Sequence, residues 1–264
     1  MTSPVKPKKH LGQHFLCDEN IACRIVESLP ENDVITVIEI GAGTGVLTKY
    51  LIEKYKKNFY AVDIDHDSVT FLKQTYPAAA ENILEADFLE YDINKVTKES
   101  FNVIGNFPYN ISSQIMFKVL QYRNRVNSVV GMFQKEVAQR IAEKPGTKTY
   151  GILSVLLQAF YNIEYLFTVN ENVFSPPPKV KSAVIRLTRN DRIELPCSEE
   201  LFFKVVKTTF NQRRKTIRNS IKPVLSVPDS QHSSLFRKRP EQLSVDDFIS
   251  LTVFVEKNLH NKGL

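Results

Sequence analysis

Apolar residues in the first half of the chain alternate between continuous runs, typical of buried strands, and helix-spaced patterns. The runs predict strands at residues 34–40, 58–64, 82–87, 101–107 and 127–134. Helical spacing between them predicts helices, including one that Asp18 caps and one over residues 111–122. Strands that alternate with helices indicate a parallel sheet with helices on both faces.

The pattern changes further along the chain. We predict two helices and then a closing pair of strands, at residues 135–144, 150–161, 164–169 and 182–189. After Pro196 the apolar spacing is only helical, at residues 198–210, 211–225 and 244–259. The sequence thus predicts an α/β domain over residues 1–195, with a mostly parallel seven-stranded sheet, and a small all-helical domain over residues 196–264.

The composition is that of an ordinary globular protein. Of 264 residues, 42% are hydrophobic and 24% are charged, which excludes a disordered chain. No apolar run approaches the roughly 20 residues of a membrane helix, and the basic leader has no apolar segment typical of a secretory signal. Three widely spaced cysteines exclude a disulfide framework, so we expect a cytoplasmic protein. The five histidines lack metal-ligand spacing, so we expect no metal.

The net charge of +6 is concentrated at the two ends of the chain. Residues 196–264 contain twelve basic and seven acidic side chains, and the N-terminal leader contains Lys6, Lys8 and Lys9. This distribution indicates a polyanionic partner, although a well-solvated surface has the same composition.

Polar or glycine-rich segments follow four of the predicted strands. The first strand ends in EIGAGTG at residues 39–45, the second in Asp63 and the third in Asp87. Ligands of open α/β sheets bind at this edge, and a glycine-rich turn alone fits NAD and S-adenosylmethionine equally. The G-x-G-x-G spacing, Glu39 before the turn and Asp87 favour S-adenosylmethionine, whose ribose, amine and sulfonium suit carboxylate acceptors.

The fourth strand ends in NFPY, at residues 106–109. An exocyclic amine of a nucleobase is a poor nucleophile, and two oxygen acceptors that grip its hydrogens would direct its lone pair at a methyl group. The Asn106 side chain and the Phe107 carbonyl could supply these acceptors, because Pro108 biases Phe107 to an extended backbone. Tyr109 could stack on a flipped-out base. An isolated motif of this kind is more often a tight turn, but its position at a strand end favours the functional interpretation.

Nine ordered sequence blocks extend this picture along most of the chain: LGQHFL, EIGAGTG, VDID, EADF, GNFPYNIS, FQKEVAQR, YGILSV, FSPPPKVKSAV and FNQRRKTIRNS. With them the chain resembles the ribosomal RNA adenine N6,N6-dimethyltransferase family, most closely its bacterial small-subunit branch. The resemblance implies a Rossmann-like methyltransferase fold and dimethylation of two adjacent adenosines in a 3′-terminal hairpin of small-subunit (16S) rRNA, linked to small-subunit biogenesis. It also implies action on a partly assembled 30S particle, and we expect a monomer.

The resemblance also implies roles for individual residues. Contacts to S-adenosylmethionine would fall on His14, Leu16, Gly41, Asp63, Asp87 and Asn106. Phe174 would clamp the target adenine opposite Tyr109. Three positions depart from the family pattern: His14 replaces the commoner Asn, Phe107 replaces Leu, and Lys181 stands where Asp is frequent.

FNQRRKTIRNS is also the candidate RNA-binding segment. Its basic residues Arg213, Arg214, Lys215 and Arg218 would lie within one and a half helical turns and on more than one face. Some of them could therefore contact phosphates while others pair locally. A solvated basic face is the competing interpretation, and Lys222 with residues 237–239 favours RNA.

Three other functions remain open: methylation of large-subunit rRNA of the antibiotic-resistance type, methylation of DNA adenine, and a mainly non-catalytic role in ribosome assembly. FNQRRKTIRNS and GNFPYN argue against the first, and the blocks outside NFPY argue against the second. Intact Asn106, Pro108 and Tyr109 argue against the third.

Overall fold

The computed structural model describes residues 5–31, 36–226 and 233–260. The chain forms two compact units. Unit 1 consists of Met1–Ala138 and Asn162–Arg189, and unit 2 consists of Gln139–Tyr161 and Asn190–Leu264.

The described residues form nine strands: β1 (Phe15–Leu16), β2 (Thr36–Ile40), β3 (Phe59–Asp63), β4 (Ile83–Glu85), β5 (Phe101–Asn106), β6 (Val126–Gln134), β7 (Tyr161–Val169), β8 (Phe174–Ser175) and β9 (Ser182–Arg189). Seven of them form one sheet in the order β4-β3-β2-β5-β6-β9-β7. The pairs from β4 through β6 are parallel, and β9 is antiparallel to β6. The predicted α/β class and the mostly parallel seven-stranded sheet are therefore confirmed.

The register of the central strands aligns their carboxyl ends. Glu39 of β2 lies opposite Ala61 of β3 and Ile104 of β5. Four of the five residues of β2 are buried, because a strand in the middle of a sheet with helices against it has no solvent face. The residues that follow β2, β3 and β5 consequently meet at one edge of the sheet.

Nine α-helices accompany the strands within the described ranges: α1 (Glu19–Glu27), α2 (Thr48–Tyr55), α3 (His66–Thr75), α4 (Ser112–Gln121), α5 (Lys135–Ala142), α6 (Ile152–Gln158), α7 (Glu199–Asn211), α8 (Ile217–Ser220) and α9 (Val245–His260). Asp18 caps α1 as predicted, since its carboxylate accepts a hydrogen bond from the Ile21 amide at 3.0 Å. None of the helices described is long and apolar enough to cross a membrane.

A second, two-stranded sheet was not predicted. β1 pairs antiparallel with β8, with Phe15 opposite Ser175 and Leu16 opposite Phe174. Strands of two residues leave no periodic signal, and these two are far apart in the chain. The pairing fixes the N-terminal leader of unit 1 beside the segment that precedes the triple proline.

Unit 2 differs from the domain predicted over residues 196–264, because it also includes Gln139–Tyr161. Helix α6, which the sequence analysis placed in the first domain, packs against α7 and α9. Rings connect these elements, with Tyr150 and Phe248 at 6.2 and 5.7 Å from Phe210. Helical periodicity shows that a segment has an apolar face but not which core buries it.

The predicted helix over residues 211–225 is wrong. Helix α7 ends at Asn211, residues 212–215 form a turn, and α8 covers only Ile217–Ser220. Residues 211–216 contain no apolar side chain, so no buried face carries the helix through them.

Candidate functional site

The glycine turn after β2 is held against the ends of its two neighbouring strands. Gly41 has φ 72° and donates its amide to the Val62 carbonyl at 2.9 Å. A Cβ on Gly41 would lie 3.4 Å from the Pro108 ring, at the end of β5. That distance is an ordinary contact, so it is the left-handed backbone that favours glycine at this position.

Asp63 connects this turn to the end of β3. Its carboxylate accepts hydrogen bonds from the amides of Gly43 at 2.8 Å and Asp65 at 2.9 Å. The side chain is 7% exposed, and burial raises its pKa above the ordinary value. The structure thus places the predicted ribose-binding carboxylate beside the turn, with its orientation fixed by main-chain donors.

Glu39 has a supporting position and does not face a ligand. It is 1% exposed, and the Thr48 hydroxyl donates a hydrogen bond to it at 2.7 Å. Burial raises its pKa to about 8, with a further contribution from the charge of Asp63. Its place before the turn suggested a ligand contact, but the side chain points into the protein and ties β2 to α2.

A cleft of about 110 Å³ opens at the ends of β2, β3, β4 and β5. Its lining is apolar apart from two carboxylates and one side-chain amide, and comprises Leu11, Ile40, Gly41, Val62, Asp63, Ile64, Ala86, Asp87, Phe88, Leu89, Pro108, Asn110 and Ile111. Asp87 accepts a hydrogen bond from the Leu89 amide at 2.8 Å. Ile64 is the largest apolar surface here, with 52% of its area exposed, and can cover a flat ring.

Asn106 at the end of β5 is oriented by the N-terminal leader. Its amide nitrogen donates to the main-chain carbonyl of His14 at 2.9 Å. Since a carbonyl can only accept, the amide NH₂ must face His14, and the side-chain oxygen of Asn106 is the end left to accept from a ligand. This contact was not predicted, and it supplies the acceptor that the NFPY hypothesis needs.

Phe107 is a core residue. Its ring is 1% exposed and lies edge-on to Phe133 at 5.1 Å. The side chain of Phe107 anchors the turn, and only its main chain is available to a ligand. The replacement of the family's Leu by Phe at this position therefore changes the packing and keeps the carbonyl.

Tyr109 lies in a second recess, of about 30 Å³, which shares Gly41 and Pro108 with the larger cleft. Its hydroxyl shares a hydrogen bond with the Ser182 hydroxyl, and burial raises its pKa. The His14 ring stacks on it at 5.5 Å with an angle of 28°. His14 also donates Nδ1–H to the Pro176 carbonyl at 2.8 Å. The departure at His14 thus adds an aromatic wall beside Tyr109.

Phe174, the residue expected to clamp the target adenine, lies in the hydrophobic core of unit 1. The Phe174 ring is 4% exposed and belongs to the same core cluster as Leu16, opposite which it lies in the β1–β8 pair. Within the described residues, the ring stacked on Tyr109 is that of His14. Leu16 is also buried, so both residues anchor the leader through their side chains, and Leu16 can meet a ligand only through its main chain.

The four basic residues of the predicted RNA segment lie in unit 2 in different settings. Arg213 donates to the Thr147 carbonyl at 3.2 Å and lies 3.8 Å from Glu241. The Arg218 guanidinium lies 5.7 Å from the centre of the Phe236 ring. Arg214 and Lys215 are exposed on the turn after α7. Arg213 and Arg218 therefore have local contacts within unit 2, whereas Arg214 and Lys215 are exposed.

Two sets of polar contacts in unit 1, around Lys8 and around Lys118, were not predicted from the sequence. Lys8 forms ion pairs with Asp65 and with Asp67, the latter at 2.8 Å, and Gln13 donates to Asp65 at 2.9 Å. Lys118, in the apolar pattern of α4, is 7% exposed. A lysine inside an apolar helix stripe was the available signal for the second set. No signal in the sequence indicated the first.

No group of three or more His, Cys, Asp or Glu side chains suited to a metal ion occurs in the part of the chain that the structure describes. His232, one of the five histidines considered for metal binding, lies outside the described residues.

Comparison with known proteins agrees with this geometry. Residues 5–256 match the family described as ribosomal RNA adenine dimethylase. A protein of Flavobacterium johnsoniae named ribosomal RNA small subunit methyltransferase A is 56% identical over 253 residues, which cover 96% of this chain and 97% of that protein. A protein of the same name from Parabacteroides distasonis is 55% identical over 260 residues, covering 98% and 97%.

Solved structures agree at the level of the fold. A dimethyladenosine transferase from Plasmodium falciparum has a TM-score of 0.78 and 25% identity, covering 95% of this chain and 99% of that one. The 23S rRNA methyltransferase ErmE has a TM-score of 0.68 and 24% identity, covering 89% and 98%. The Rossmann-like methyltransferase fold is thereby confirmed, and the chain belongs to the ribosomal RNA adenine dimethylase family.

Proposed function

We propose that this protein dimethylates the N6 amines of two adjacent adenosines in a 3′-terminal hairpin of small-subunit (16S) rRNA, with S-adenosylmethionine as the methyl donor. The observation that carries the proposal is the Asn106 side chain, whose amide is held by the His14 carbonyl so that its oxygen is left for a ligand. The names of relatives 55–56% identical over nearly the whole chain support the small subunit as the target.

The cleft residues fit the cofactor. Gly41 has no side chain and a left-handed backbone conformation, so the main chain of the turn can approach a ligand closely. The Asp63 carboxylate can accept hydrogen bonds from a ribose diol, and Asp87 can accept from the adenine amine. Ile64 is positioned to cover the adenine ring. When bound, S-adenosylmethionine supplies an electrophilic methyl group.

The residues of the NFPY turn would prepare the nucleophile. The Asn106 oxygen and the Phe107 carbonyl accept the two amine hydrogens, which turns the nitrogen lone pair toward the methyl group. Both oxygens also stabilise the positive charge that develops on nitrogen, so catalysis is orientation combined with electrostatic stabilisation. Tyr109 stacks on the base and holds it in plane. Phe174 takes part in base stacking only after leaving its core position.

The large-subunit alternative has weaker support. ErmE is 24% identical, which speaks for the fold alone. A mainly non-catalytic assembly role is opposed by the oriented Asn106, since a scaffold gains nothing from a free acceptor fixed at this edge. The DNA alternative has no support in the comparisons above.

Unit 2 would contribute to RNA affinity. Arg214 and Lys215 are exposed on one turn and can contact phosphates, whereas Arg213 and Arg218 hold the turn in place. The proposed substrate is rRNA within a partly assembled 30S particle, and the proposed active form is a cytoplasmic monomer that needs no metal.

The experiment is a parallel transfer of labelled methyl groups to small-subunit particles, large-subunit particles and duplex DNA. We expect label only in small-subunit RNA, as N6,N6-dimethyladenosine. Label in large-subunit RNA would support the antibiotic-resistance type, and an absence of label from all three would support the non-catalytic role.

A further inference from the structure

Lys118 is a buried cation whose three hydrogens are all used. It lies on α4, and its Nζ donates to the main-chain carbonyls of Phe88 at 2.5 Å, Leu89 at 3.0 Å and Tyr91 at 2.6 Å. An ammonium has three donors, so the charged form matches this set and a neutral amine would leave one carbonyl unpaired. Burying a lysine is costly unless it is fully bonded, and here it is.

Two aromatic rings also lie near the ammonium. Nζ is 5.0 Å from the centre of the Phe88 ring and 6.0 Å from that of Tyr122. Burial lowers the pKa of Lys118, while the nearby carboxylates of Asp87, Glu90 and Asp92 act in the opposite direction. The cation is thus surrounded by one short loop, residues 87–92.

This loop forms a wall of the cofactor cleft. Asp87, Phe88 and Leu89 line the cleft, and the Asp87 main-chain carbonyl accepts from the amide of Tyr91 at 2.8 Å. Three carbonyls directed at one point repel each other unless a cation lies between them. The backbone conformation that presents Asp87 to the cleft therefore depends on Lys118.

The same helix follows the NFPY turn. Helix α4 begins at Ser112, whose hydroxyl donates to the Tyr109 carbonyl at 3.3 Å. Lys118 consequently joins the segment after β4, where the adenine would lie, to the segment after β5, where the methyl acceptor would lie.

We propose that Lys118 is a positioning residue for cofactor recognition: its ammonium holds the loop over residues 87–92 in the shape that selects adenine in the cofactor. The proposal rests on the cofactor assignment and not on the identity of the RNA. It is tested by cofactor binding, so its failure is distinguishable from failure of the proposed substrate.

The first experiment measures binding of S-adenosylhomocysteine and of its hypoxanthine counterpart by calorimetry. Replacing Lys118 by Met removes hydrogen bonds to a charged group, and we expect the affinity for the adenine ligand to fall about 10- to 100-fold. The affinity for the hypoxanthine ligand, which lacks the amine, should fall less. The ratio of the two affinities, which measures the preference for adenine, should therefore decrease. Lys73→Met, at an exposed lysine on α3, serves as the control and should change neither affinity.

The second experiment separates loop positioning from general damage to the fold. Lys118→Ala leaves a space that matches propylammonium, which can donate to the same three carbonyls. We expect propylammonium to restore the adenine affinity of this variant, and tetramethylammonium, which has no N–H donor, to have no effect. Equal losses for both ligands, or the absence of rescue by propylammonium, would overturn the proposal.

Discussion

The polar groups at the sheet edge of unit 1 differ from the exposed cations on the turn after α7 in unit 2. In unit 1 the polar groups at the sheet edge are bound by the chain itself: Asp63 by the Gly43 amide, and Asn106 by the His14 carbonyl. In unit 2 Arg214 and Lys215 are exposed on a turn. The first arrangement is typical of groups whose orientation matters, and the second of charges that meet a mobile polyanion.

We expect substitutions in the two units to have different effects. Changes at the edge of unit 1 should alter turnover, cofactor affinity or the pH dependence of stability. Changes on the exposed turn of unit 2 should alter the salt dependence of RNA binding and leave turnover on saturating RNA intact.

The largest expected effect is that of Asn106→Ala. Losing one oriented acceptor should cost about 2–4 kcal/mol of transition-state stabilisation, by analogy with the removal of an oxyanion-hole donor. The measurement is the single-turnover rate with saturating cofactor and RNA. Asn170→Ala, at an exposed asparagine, is the matched control and should retain the rate. Near-normal turnover of the Asn106 variant would remove the basis of the catalytic assignment.

Glu39→Gln tests the buried carboxyl beneath the glycine turn. The folded-state pKa of Glu39 is about 8 against an ordinary value of 4.5, so the folded protein holds this proton more tightly than the unfolded chain does. Its contribution to stability is therefore complete below pH 4.5 and is lost as the pH rises toward 8. Gln does not titrate and still accepts from Thr48.

The natural protein should therefore lose stability relative to the Glu39→Gln variant as the pH rises. Between pH 5 and pH 7.5, the difference in the free energy of unfolding should shift by about 3 kcal/mol in favour of the variant. Denaturant unfolding at several pH values measures this difference. Glu53→Gln, at an exposed position on α2, should show no such trend. Parallel pH curves for the Glu39 variant and the natural protein would show that this carboxyl is ionised in the fold.

Two substitutions of Tyr109 distinguish the effect of base stacking from that of the hydrogen bond to Ser182. Tyr109→Ala should weaken productive RNA binding by about 1–3 kcal/mol, the usual contribution of one base stacked on an aromatic ring. Tyr109→Phe retains the ring and loses only the contact with Ser182, so its effect should be smaller. The ratio of single-turnover rate to half-saturating RNA concentration measures both. Equal effects of the two variants would contradict the stacking role.

The smallest effects are expected on the basic turn of unit 2. Arg214→Ala should reduce the slope of log affinity against log salt by about 0.7–0.9 for one lost phosphate contact. Arg213→Ala should instead lower stability, by about 0.5–1.5 kcal/mol, because Arg213 bonds the Thr147 carbonyl. Filter binding at several salt concentrations, together with thermal unfolding, separates the two. If both variants change the slope equally, the distinction between bound and exposed arginines is wrong.

The sheet was predictable because buried parallel strands are continuous apolar runs, and their order placed Asp63, Asp87 and Asn106 at the carboxyl ends of β3, β4 and β5. The orientation of Asn106 was not predictable, since its partner is the main chain of His14, 92 residues away. Contacts of this kind depend on the tertiary fold and leave no local pattern.

The differences between the structure and the sequence-based expectations have the same origin. We expected Phe174 to contact the target adenine, but its ring is buried where β8 pairs with β1, opposite Leu16. These two residues are distant in the sequence. The segment after Asn211 has the composition of a helix but no apolar residue until Ile217, and the structure forms a turn there. The role of Lys118 follows from three carbonyls in a distant loop, which spacing alone does not reveal.

The central claim is that Asn106 at the sheet edge directs methyl transfer to adenosine in small-subunit RNA. The most direct measurement is nucleoside analysis of small-subunit RNA after incubation with the natural protein and with Asn106→Ala, both at saturating cofactor. The account predicts two N6,N6-dimethyladenosines per RNA with the natural protein and almost none with the variant. Dimethyladenosine formed equally by both proteins, or none formed by the natural protein, would contradict it.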